Sequence, residues 1–320
     1  MLPYALRRLA QALPLLFAVA VLTFALVHAA PGDPVVALAG EDGDAAYYAQ
    51  MRERYGFDRP LSERFATYLG RLARGDLGYS HRLQRPALDV VLDRLPATLL
   101  LIAPALLLAV VLGIGLGVAA ARRPYTATDT FVSTLSLVGH AVPSFWLAQL
   151  LMLAFADRLG WFPVQGMRDA RLDPAGLAGL LDVAHHMALP VAALTVQYLA
   201  PIARVARAAL IDALGADYVR TAVAKGVRGR VVLLRHALRN ALPPVVTVIG
   251  AQAAFMVSGA VLVETVFAWP GVGRMLLAAM LARDLALVSA TFLLLSAALV
   301  LTSLLVDLAY AALDPRIRYA

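Results

Sequence analysis

The sequence predicts an all-α fold, a polytopic membrane bundle of six transmembrane helices with a short additional helix outside the lipid. The chain of 320 residues is 61% hydrophobic and only 15% charged, and its mean hydropathy is +0.74. These values are typical of a protein that crosses a membrane repeatedly. Uncharged apolar runs of about 20 residues recur along the chain, and the basic residues concentrate between those runs.

Six uncharged windows have about the length that a membrane span requires. A hydrocarbon core about 30 Å thick needs about 20 residues at a rise of about 1.5 Å each. The predicted spans are residues 9–30, 96–121, 131–156, 187–203, 245–263 and 285–306. Four prolines are expected to bend or interrupt these helices, namely Pro104, Pro143, Pro190 and Pro201. Gly113 and Gly117 are expected to let a second helix approach closely.

The first window has two interpretations. Arg7 and Arg8 precede it, as a basic region precedes the apolar part of a cleaved signal peptide. Its apolar run of about 22 residues is longer than the roughly 7 to 15 of such a peptide, which favours a permanent span. We therefore expect residues 1–30 to contain the N-terminus and the first transmembrane helix.

The distribution of Lys and Arg predicts the orientation. With the N-terminus in the cytoplasm and six crossings, fourteen basic residues lie in cytoplasmic segments and five in the two short outer loops. Short loops rich in Lys and Arg stay inside. Both the N-terminus and the C-terminal tail, residues 313–320, are therefore expected in the cytoplasm.

Residues 31–95 form the first outer loop, and we expect a small extracytoplasmic subdomain of short helices there. Hydrophobic residues at helical spacing predict one amphipathic helix, namely Leu61, Phe65, Tyr68, Leu69 and Leu72. The residues GDLG at 75–78 are expected to end it. A solvated connector without fixed structure is the alternative.

The motifs of several enzyme classes are missing from the sequence. The only lysine, Lys225, is followed by Gly226, so the chain has no Gly-Lys-Ser/Thr phosphate-binding loop. It has no HExxH motif and no cysteine, which excludes the common zinc signatures. We therefore expect no catalytic residue, metal site or cofactor in this chain. The net charge of +7 is explained by cytoplasmic loops and does not indicate nucleic-acid binding.

A self-sufficient secondary transporter or channel is the alternative class of function. Such carriers usually bury ionisable side chains near the middle of the membrane, and the predicted spans contain almost none. Polar side chains within the spans either line a path or form hydrogen bonds between helices. They are Ser136, Ser144, Gln149, Gln197, Gln252, Ser258, Ser289 and Ser296.

The basic stretch at 217–240 predicts the short helix outside the lipid. One Arg or Lys at the centre of a membrane helix costs about 2.5 to 3.5 kcal/mol. Gly215 is expected to end the preceding helix, Asp217 to cap the short helix and Gly226 to end it. Because isolated helices under about 12 residues are marginal, we expect a partner protein to hold it. An ordinary basic loop is the alternative.

A second amphipathic segment is expected over residues 231–242. Leu234 and Leu238 form its apolar face. Arg235 and Arg239 form its basic face. Pro243 and Pro244 are expected to end it just before the fifth span. Residues 207–243 are thus the predicted cytoplasmic segment of a transmembrane core that covers residues 96–312.

Motifs along nearly the whole chain are similar to those of a known family. They are GDLGYS at 75–80, RLPATLLL at 94–101, VPSFWLAQLL at 142–151, YVRTAVAKG at 218–226, LLRHALRNALPPVVT at 233–247, VETVFAWPGVGR at 263–274 and LDPRIRYA at 313–320. Through them the chain resembles the permease subunits of binding-protein-dependent ABC importers, in particular the dipeptide, oligopeptide and nickel branch. The Glu-Ala-Ala form of the family's cytoplasmic signature is Arg220-Thr221-Ala222 here, a departure that fits this branch.

The resemblance implies a role for the short helix. It would be the coupling helix, which sits in a cleft of a cytoplasmic ATPase subunit and transmits ATP-driven movement to the bundle. The residues implied in this contact are Asp217, Tyr218, Arg220, Thr221, Ala222, Lys225 and Gly226.

The resemblance also implies an outer gate and docking surface, to which the loop 31–95 would contribute. AWPGVG at 268–273 is expected to form a Pro-Gly turn or a re-entrant element. The residues implied there are Glu264, Trp269, Pro270, Gly271, Gly273 and Arg274.

The implied assembly lies in the bacterial inner membrane and contains several other subunits. They are a second homologous permease, expected to be a distinct chain, two cytoplasmic ATPases that bind ATP and magnesium, and an extracytoplasmic binding protein. This chain would supply half of the translocation path for dipeptides, oligopeptides, nickel chelates or similar small solutes.

Overall fold

The computed structural model describes residues 2–29, 44–56, 58–169, 171 and 176–313. Helices dominate these residues, as the sequence predicts. The elements are α1 (Leu2–Ala29), α2 (Ala45–Tyr55), α3 (Leu61–Leu72), β1 (Tyr79–Ser80), β2 (Arg85–Pro86), α4 (Ala87–Ala121), α5 (Ala127–Ala141), α6 (Ser144–Arg158), α7 (Gly176–Gly215), α8 (Asp217–Ala224), α9 (Gly229–Val266), α10 (Val272–Leu281) and α11 (Leu285–Leu313). The predictions for residues 31–43 and for the tail beyond residue 313 lie outside the described residues.

Four helices are long and apolar enough to cross a membrane, namely α4, α7, α9 and the part Leu285–Leu304 of α11. Helices α5 and α6 meet the same criterion together, as one span bent by 100°. The described apolar part of α1, Leu13–Leu26, is shorter. The described residues therefore contain four spanning helices, or five with the bent pair, and the count of six stays a prediction.

The bend between α5 and α6 follows from Pro143. A proline ring disfavours helical backbone in the residue before it, and Val142 is extended, with φ −77° and ψ 125°. Helix α6 begins directly after the proline, so the predicted interruption is confirmed here. Pro190 and Pro201, in contrast, lie inside α7, which continues past both.

Helix α9 runs through the proline pair that was expected to end a helix. Pro243 and Pro244 lie within its α-helical part, Leu238–Val266, so that prediction is wrong. Each proline deprives the carbonyl four residues earlier of its helical donor. Those carbonyls belong to Arg239 and Asn240, which are exposed. Polar surroundings can therefore satisfy them, and the helix continues.

The described chain divides into two units, one comprising Ala97–Gly273 and the chain from Leu301 on, the other Leu2–Pro96 and Arg274–Val300. In the first unit α4 lies in close contact with α7. A Cβ on Gly113 would lie 2.9 Å from the carbonyl oxygen of Leu199, and one on Gly117 would lie 2.7 Å from the Cβ of Ala206. Only glycine fits at such distances, which confirms the predicted helix contact.

The second unit contains the predicted amphipathic helix as α3. The rings of Phe65 and Tyr68 lie 5.0 and 5.5 Å from the ring of Phe24 in α1. Leu61 at its start is exposed. The helix ends at Leu72, before GDLG, as predicted.

The same unit contains a β-hairpin that the sequence did not predict. Strands β1 and β2 are antiparallel, with Ser80 opposite Arg85. The buried Ser80 hydroxyl donates a hydrogen bond to the carboxylate of Asp284. Asp284 also accepts a hydrogen bond of 3.1 Å from the N–H of Leu287 in the first turn of α11. The hairpin is thereby anchored to the start of α11.

Candidate coupling site

Helix α8 begins where a glycine ends the preceding helix. Helix α7 ends at Gly215, and Ala216 is extended, with φ −74° and ψ 151°. The backbone N–H groups of Val219 and Arg220 donate to the carbonyl of Ala216, which is therefore the N-cap. The prediction that Asp217 is the N-cap is wrong by one residue. Its carboxylate lies instead in the first turn, where the helix dipole favours negative charge.

Gly226 ends α8 in the way that the sequence predicts. Its φ of +76° lies in the left-handed region that favours glycine. The N–H of Gly226 donates to the carbonyl of Val223 at 2.9 Å, and the N–H of Val227 donates to the carbonyl of Ala222 at 3.1 Å. These two hydrogen bonds form a Schellman motif, which fixes the direction of the chain after the helix.

The inner face of α8 packs against other parts of this chain. Val219 and Ala222 are only 5% and 8% exposed. The cluster around them also contains Ala121, Leu210, Ala213, Val232, Leu233, Ala237 and Ala241. A partner protein was expected to hold this short helix, but the chain's own apolar side chains already pack against it. Ala222, one of the implied ATPase contacts, lies on this inner face.

The outer face of α8 is exposed and chemically mixed. The side chains of Arg220 and Asp217 are 74% and 95% exposed and form an ion pair at 3.3 Å. Tyr218 is 41% exposed, and Val223, which the sequence analysis did not single out, is 58% exposed. Thr221, Lys225 and Gly226 are exposed as well. Exposed aromatic, aliphatic and arginine side chains are typical of protein interfaces.

The segment after α8 has a different buried face from the one predicted. Leu234 was expected on the apolar face but is 48% exposed. The buried side chains are Val232, Leu233, Ala237 and Ala241. A π-helical turn at Val232–Ala237 explains the error. Its wider turns shift the side chains relative to the α-helical period on which the prediction rested.

A buried carboxylate anchors the turn between α9 and α10. Glu264 and Trp269 have no exposed surface. The hydroxyl of Thr98 donates to Glu264 Oε1 at 2.6 Å and accepts a hydrogen bond from the N–H of Val272 at 2.8 Å. The indole Nε1 of Trp269 donates to the carbonyl of Ala97 at 2.8 Å. Ala97 and Thr98 of α4 are thereby hydrogen-bonded to both sides of the turn between α9 and α10.

The glycines of this turn are buried as well. A Cβ on Gly271 would overlap the carboxylate of Glu264, and one on Gly273 would lie 2.6 Å from the Cα of Val261. Pro270 is half-buried and Arg274 is exposed. Of the six residues implied in an outer gate, four therefore lie inside the protein and hold the turn in place. Thr98 was missed because a threonine in an apolar run carries no distinguishing signal.

The predicted path-lining residues differ in their burial. Ser136 and Ser144 are buried, Gln197 and Gln252 are half-buried, and Gln149 and Ser258 are exposed. Gln252 lines a groove with a volume of about 590 Å³ between α7 and α9. Arg204 and Asp212 are the charged residues of this groove, and the rest of its lining besides Gln252 is apolar.

The structure also brings together a charged pair that the sequence analysis did not predict. Asp129 in the first turn of α5 is 3% exposed. Both of its carboxylate oxygens accept hydrogen bonds from Arg207 of α7, from Nε at 2.5 Å and from Nη2 at 2.6 Å. The N–H of Tyr125 and the hydroxyl of Ser133 donate to the same carboxylate at 2.8 and 3.3 Å.

In the part of the chain that the structure describes, no group of three or more His, Asp or Glu residues is placed to hold a metal ion. The site consists of a rigid, exposed helix and of the helices that support it. An exposed helix of this kind offers a surface to which another protein can bind.

Comparison with known proteins identifies the family. Residues 113–319 match the family described as binding-protein-dependent transport system inner membrane component, and residues 1–102 match the N-terminal region of such membrane components. The chain belongs to this family. It is a multi-pass permease subunit of an ABC importer in the inner membrane, and the resemblance found in its motifs is confirmed.

Named relatives extend over the whole chain. The chain is 40% identical to the di/tripeptide transport system permease protein DppB of Pseudomonas aeruginosa, over 100% of this chain and 99% of the relative. It is 39% identical to the glutathione transport system permease protein GsiC of Escherichia coli K12, over 100% of both chains. It is 35% identical to the oligopeptide transport system permease protein AppB of Bacillus subtilis, again over 100% of both.

A solved structure shares the fold. A chain of the MetNI methionine ABC transporter, determined in inward-facing conformations, superposes with a TM-score of 0.54 and 16% identity. The match covers 72% of this chain and 98% of that chain. The two proteins therefore share their fold over the matched residues.

Proposed function

We propose that this chain imports short peptides as one half of the translocation path of an ATP-driven complex, with α8 as its coupling helix. The observation that carries the proposal is the outer face of α8, where Tyr218, Arg220 and Val223 are exposed on a helix whose opposite face is packed. Because the chain has no phosphate-binding loop, the energy has to come from an ATPase that contacts it. A preformed, supported helix suits that contact.

The proposed complex contains this chain, a second and distinct homologous permease, two cytoplasmic ATPases that bind ATP and magnesium, and an extracytoplasmic binding protein. Both termini of this chain lie in the cytoplasm. Fourteen basic residues in the segments on that side, against five in the two short outer loops, support this orientation, because the positive-inside rule applies to short loops. The outer loop 31–95, with Pro270 and Arg274, receives the binding protein, while Glu264, Trp269, Gly271 and Gly273 position the adjoining turn.

The proposed substrates are dipeptides and longer peptides rather than nickel chelates. The relatives that cover the whole chain are named as transporters of di- and tripeptides, oligopeptides and glutathione. All of these solutes are short peptides. The shared chemistry is a chain of amide bonds with a free carboxylate, and we extend it to this protein.

Reconstitution of the complex in proteoliposomes tests this function. We expect uptake of a labelled dipeptide, of glutathione or of both, and only when the binding protein outside and ATP on the ATPase side are present. Uptake by this chain alone, driven by an ion gradient, would show that it is a secondary transporter. If the complex takes up nickel–histidine but takes up no peptide, the proposed substrate class is contradicted.

Cysteine labelling tests the orientation, since the chain contains no cysteine of its own. Arg228→Cys, in the exposed turn directly after α8, should react with a membrane-impermeant maleimide from the cytoplasmic side only. Tyr79→Cys in the β-hairpin, where the side chain is 41% exposed, should react from the opposite side only. Reaction of both from the same side would overturn the proposed orientation.

A further inference from the structure

We propose that Asp129 and Arg207 are positioning residues that carry the movement of α8 to the bent pair α5 and α6. This inference rests on the proposed function, in which an ATPase moves α8. The pair links two parts of the molecule with different roles, since Arg207 belongs to the helix that leads into α8, and Asp129 belongs to the first helix of the bent pair.

The first step of this transmission is from α8 to α7. Val219 and Ala222 of α8 share one apolar cluster with Leu210 and Ala213 of α7. The break between the two helices is short, because α7 ends at Gly215 and α8 begins at Asp217. A displacement of α8 therefore moves the end of α7 with it, as packed apolar contacts resist separation.

The second step is from α7 to α5, through Arg207. Its guanidinium binds Asp129 with two hydrogen bonds, a geometry that restricts direction as well as distance. The arginine is itself held in place, because α4 lies against α7 here and a Cβ on Gly117 would come within 3.0 Å of the backbone nitrogen of Arg207. Tyr125 and Ser133 hold the carboxylate from the other side.

The burial and the hydrogen bonds of Asp129 support a positioning role for the pair. Pairing the buried Asp129 carboxylate with Arg207, whose side chain is 26% exposed, gains little stability over apolar side chains of the same size, because a buried charge loses its hydration. A carboxylate that is 3% exposed and has four hydrogen bonds is instead directional. It fixes the rotation of α5 relative to α7, which apolar contacts alone leave less defined.

The far end of α5 is joined to α7 by different contacts. A Cβ on Gly139 would lie 3.0 Å from Cγ1 of Val196, and a ring nitrogen of His140 lies 3.2 Å from the carbonyl of Gln197. Pro143 then interrupts the helix, and α6 departs at 100°. When Arg207 moves, α5 follows at its first turn, and the orientation of α6 changes with it.

The ratio of peptide taken up to ATP hydrolysed tests the proposal in the reconstituted complex. We expect Asp129→Asn and Arg207→Gln to lower this ratio at least about fivefold while ATP hydrolysis continues. Arg207→Lys keeps the charge but not the two-pronged contact, and we expect an intermediate ratio. Arg122→Gln removes an exposed charge in the neighbouring loop and serves as the matched control, with a ratio equal to wild type.

Transport is compared per assembled complex, so a loss of folded protein alone does not change the ratio. A wild-type ratio in Asp129→Asn and Arg207→Gln would overturn the proposal. If neither variant assembles, a wild-type ratio in Arg207→Lys would overturn the proposal instead. Wild-type complexes that import peptide with ATP support the proposed function even if this inference fails, and absence of that import contradicts the proposed function itself.

Spin labels test the proposed common movement directly. We would place them at Arg228→Cys, in the exposed turn directly after α8, and at Phe131→Cys on α5, which is 66% exposed. The distance between the labels should be the same in nucleotide-free and ATP-bound complexes. In the Asp129→Asn background it should change between the two states. A change of equal size in both backgrounds would contradict the link.

Discussion

The hydroxyl of Thr98 donates a 2.6 Å hydrogen bond to the carboxylate of Glu264 and at the same time accepts one of 2.8 Å from the N–H of Val272. Thr98 is 4% exposed and Glu264 has no exposed surface. One small side chain thus satisfies polar groups on both sides of the turn between α9 and α10. A buried polar group that loses its partner is costly, so Thr98 is expected to be essential for this turn.

Thr98→Val should destabilise the protein by about 1 to 3 kcal/mol, because it keeps the shape of the side chain but leaves the carboxylate and the N–H with one partner fewer. The thermal unfolding midpoint of the purified complex measures the effect. Thr98→Ser retains the hydroxyl and is the control. Equal midpoints for the two variants would show that the hydroxyl does not stabilise the turn.

Gly117→Ala should separate α4 from α7. The new Cβ would lie 2.7 Å from the Cβ of Ala206 and 2.9 Å from the carbonyl oxygen of Ala203. Overpacking of this kind costs about 1 to 3 kcal/mol, and it should lower both the unfolding midpoint and the yield of assembled complex.

Gly115→Ala is the matched control for that change. It makes the same substitution in the same helix, but a Cβ on Gly115 would have no neighbour within 4 Å. It should be neutral or stabilising by up to about 1 kcal/mol, since alanine favours the helix more than glycine. If Gly117→Ala behaves like Gly115→Ala, the close approach of α4 and α7 does not exist in the membrane.

Features with a local signal were predictable from the sequence. The apolar windows gave the positions of the long helices, and GDLG marked the end of α3. Gly215 and Gly226 predicted where α8 begins and ends, because a glycine after a helical run commonly ends the helix. Gly113 and Gly117 gave the face of α4 that contacts another helix, although not which helix.

Features that depend on distant residues were not predictable. Nothing in the sequence near Asp129 points to Arg207, and nothing near Thr98 points to Glu264, because contacts between elements far apart in the chain leave no local pattern. The prediction of which side chains are buried at the start of α9 was wrong for a related reason. A π-helical turn changes the helical period, and the residues of Val232–Ala237 contain no glycine or proline that would indicate it.

Gly226→Ala should weaken coupling through the backbone alone. No atom lies within 4 Å of a Cβ at this position, so the cost comes from the φ of +76°, about 1 to 2 kcal/mol for a residue with a side chain. The Schellman motif should loosen and substrate-stimulated ATP hydrolysis should fall severalfold. Gly226→Val should act in the same direction and more strongly.

Two controls separate this backbone effect from a general effect of substitution. Gly226→Asn should retain more activity, because asparagine tolerates the left-handed conformation better than alanine. Gly229→Ala alters a nearby glycine that also has no neighbour within 4 Å and has no positive φ, and it should match wild type. Equal stimulation in Gly226→Ala and Gly229→Ala would contradict a role for the left-handed residue.

Arg220→Glu and Val223→Asp should each weaken the contact between α8 and the ATPase without unfolding the permease. Arg220 forms an exposed ion pair to Asp217, which contributes about 0 to 1 kcal/mol, and Val223 is 58% exposed. We expect at least about tenfold less ATPase to co-purify with either variant.

Arg123→Glu makes the same charge reversal in the loop between α4 and α5, where the side chain is also exposed, and should retain the ATPase. Retention of the ATPase by all three variants would mean that the outer face of α8 is not the contact surface, since a buried interface does not accept a reversed charge and a new carboxylate without loss of affinity.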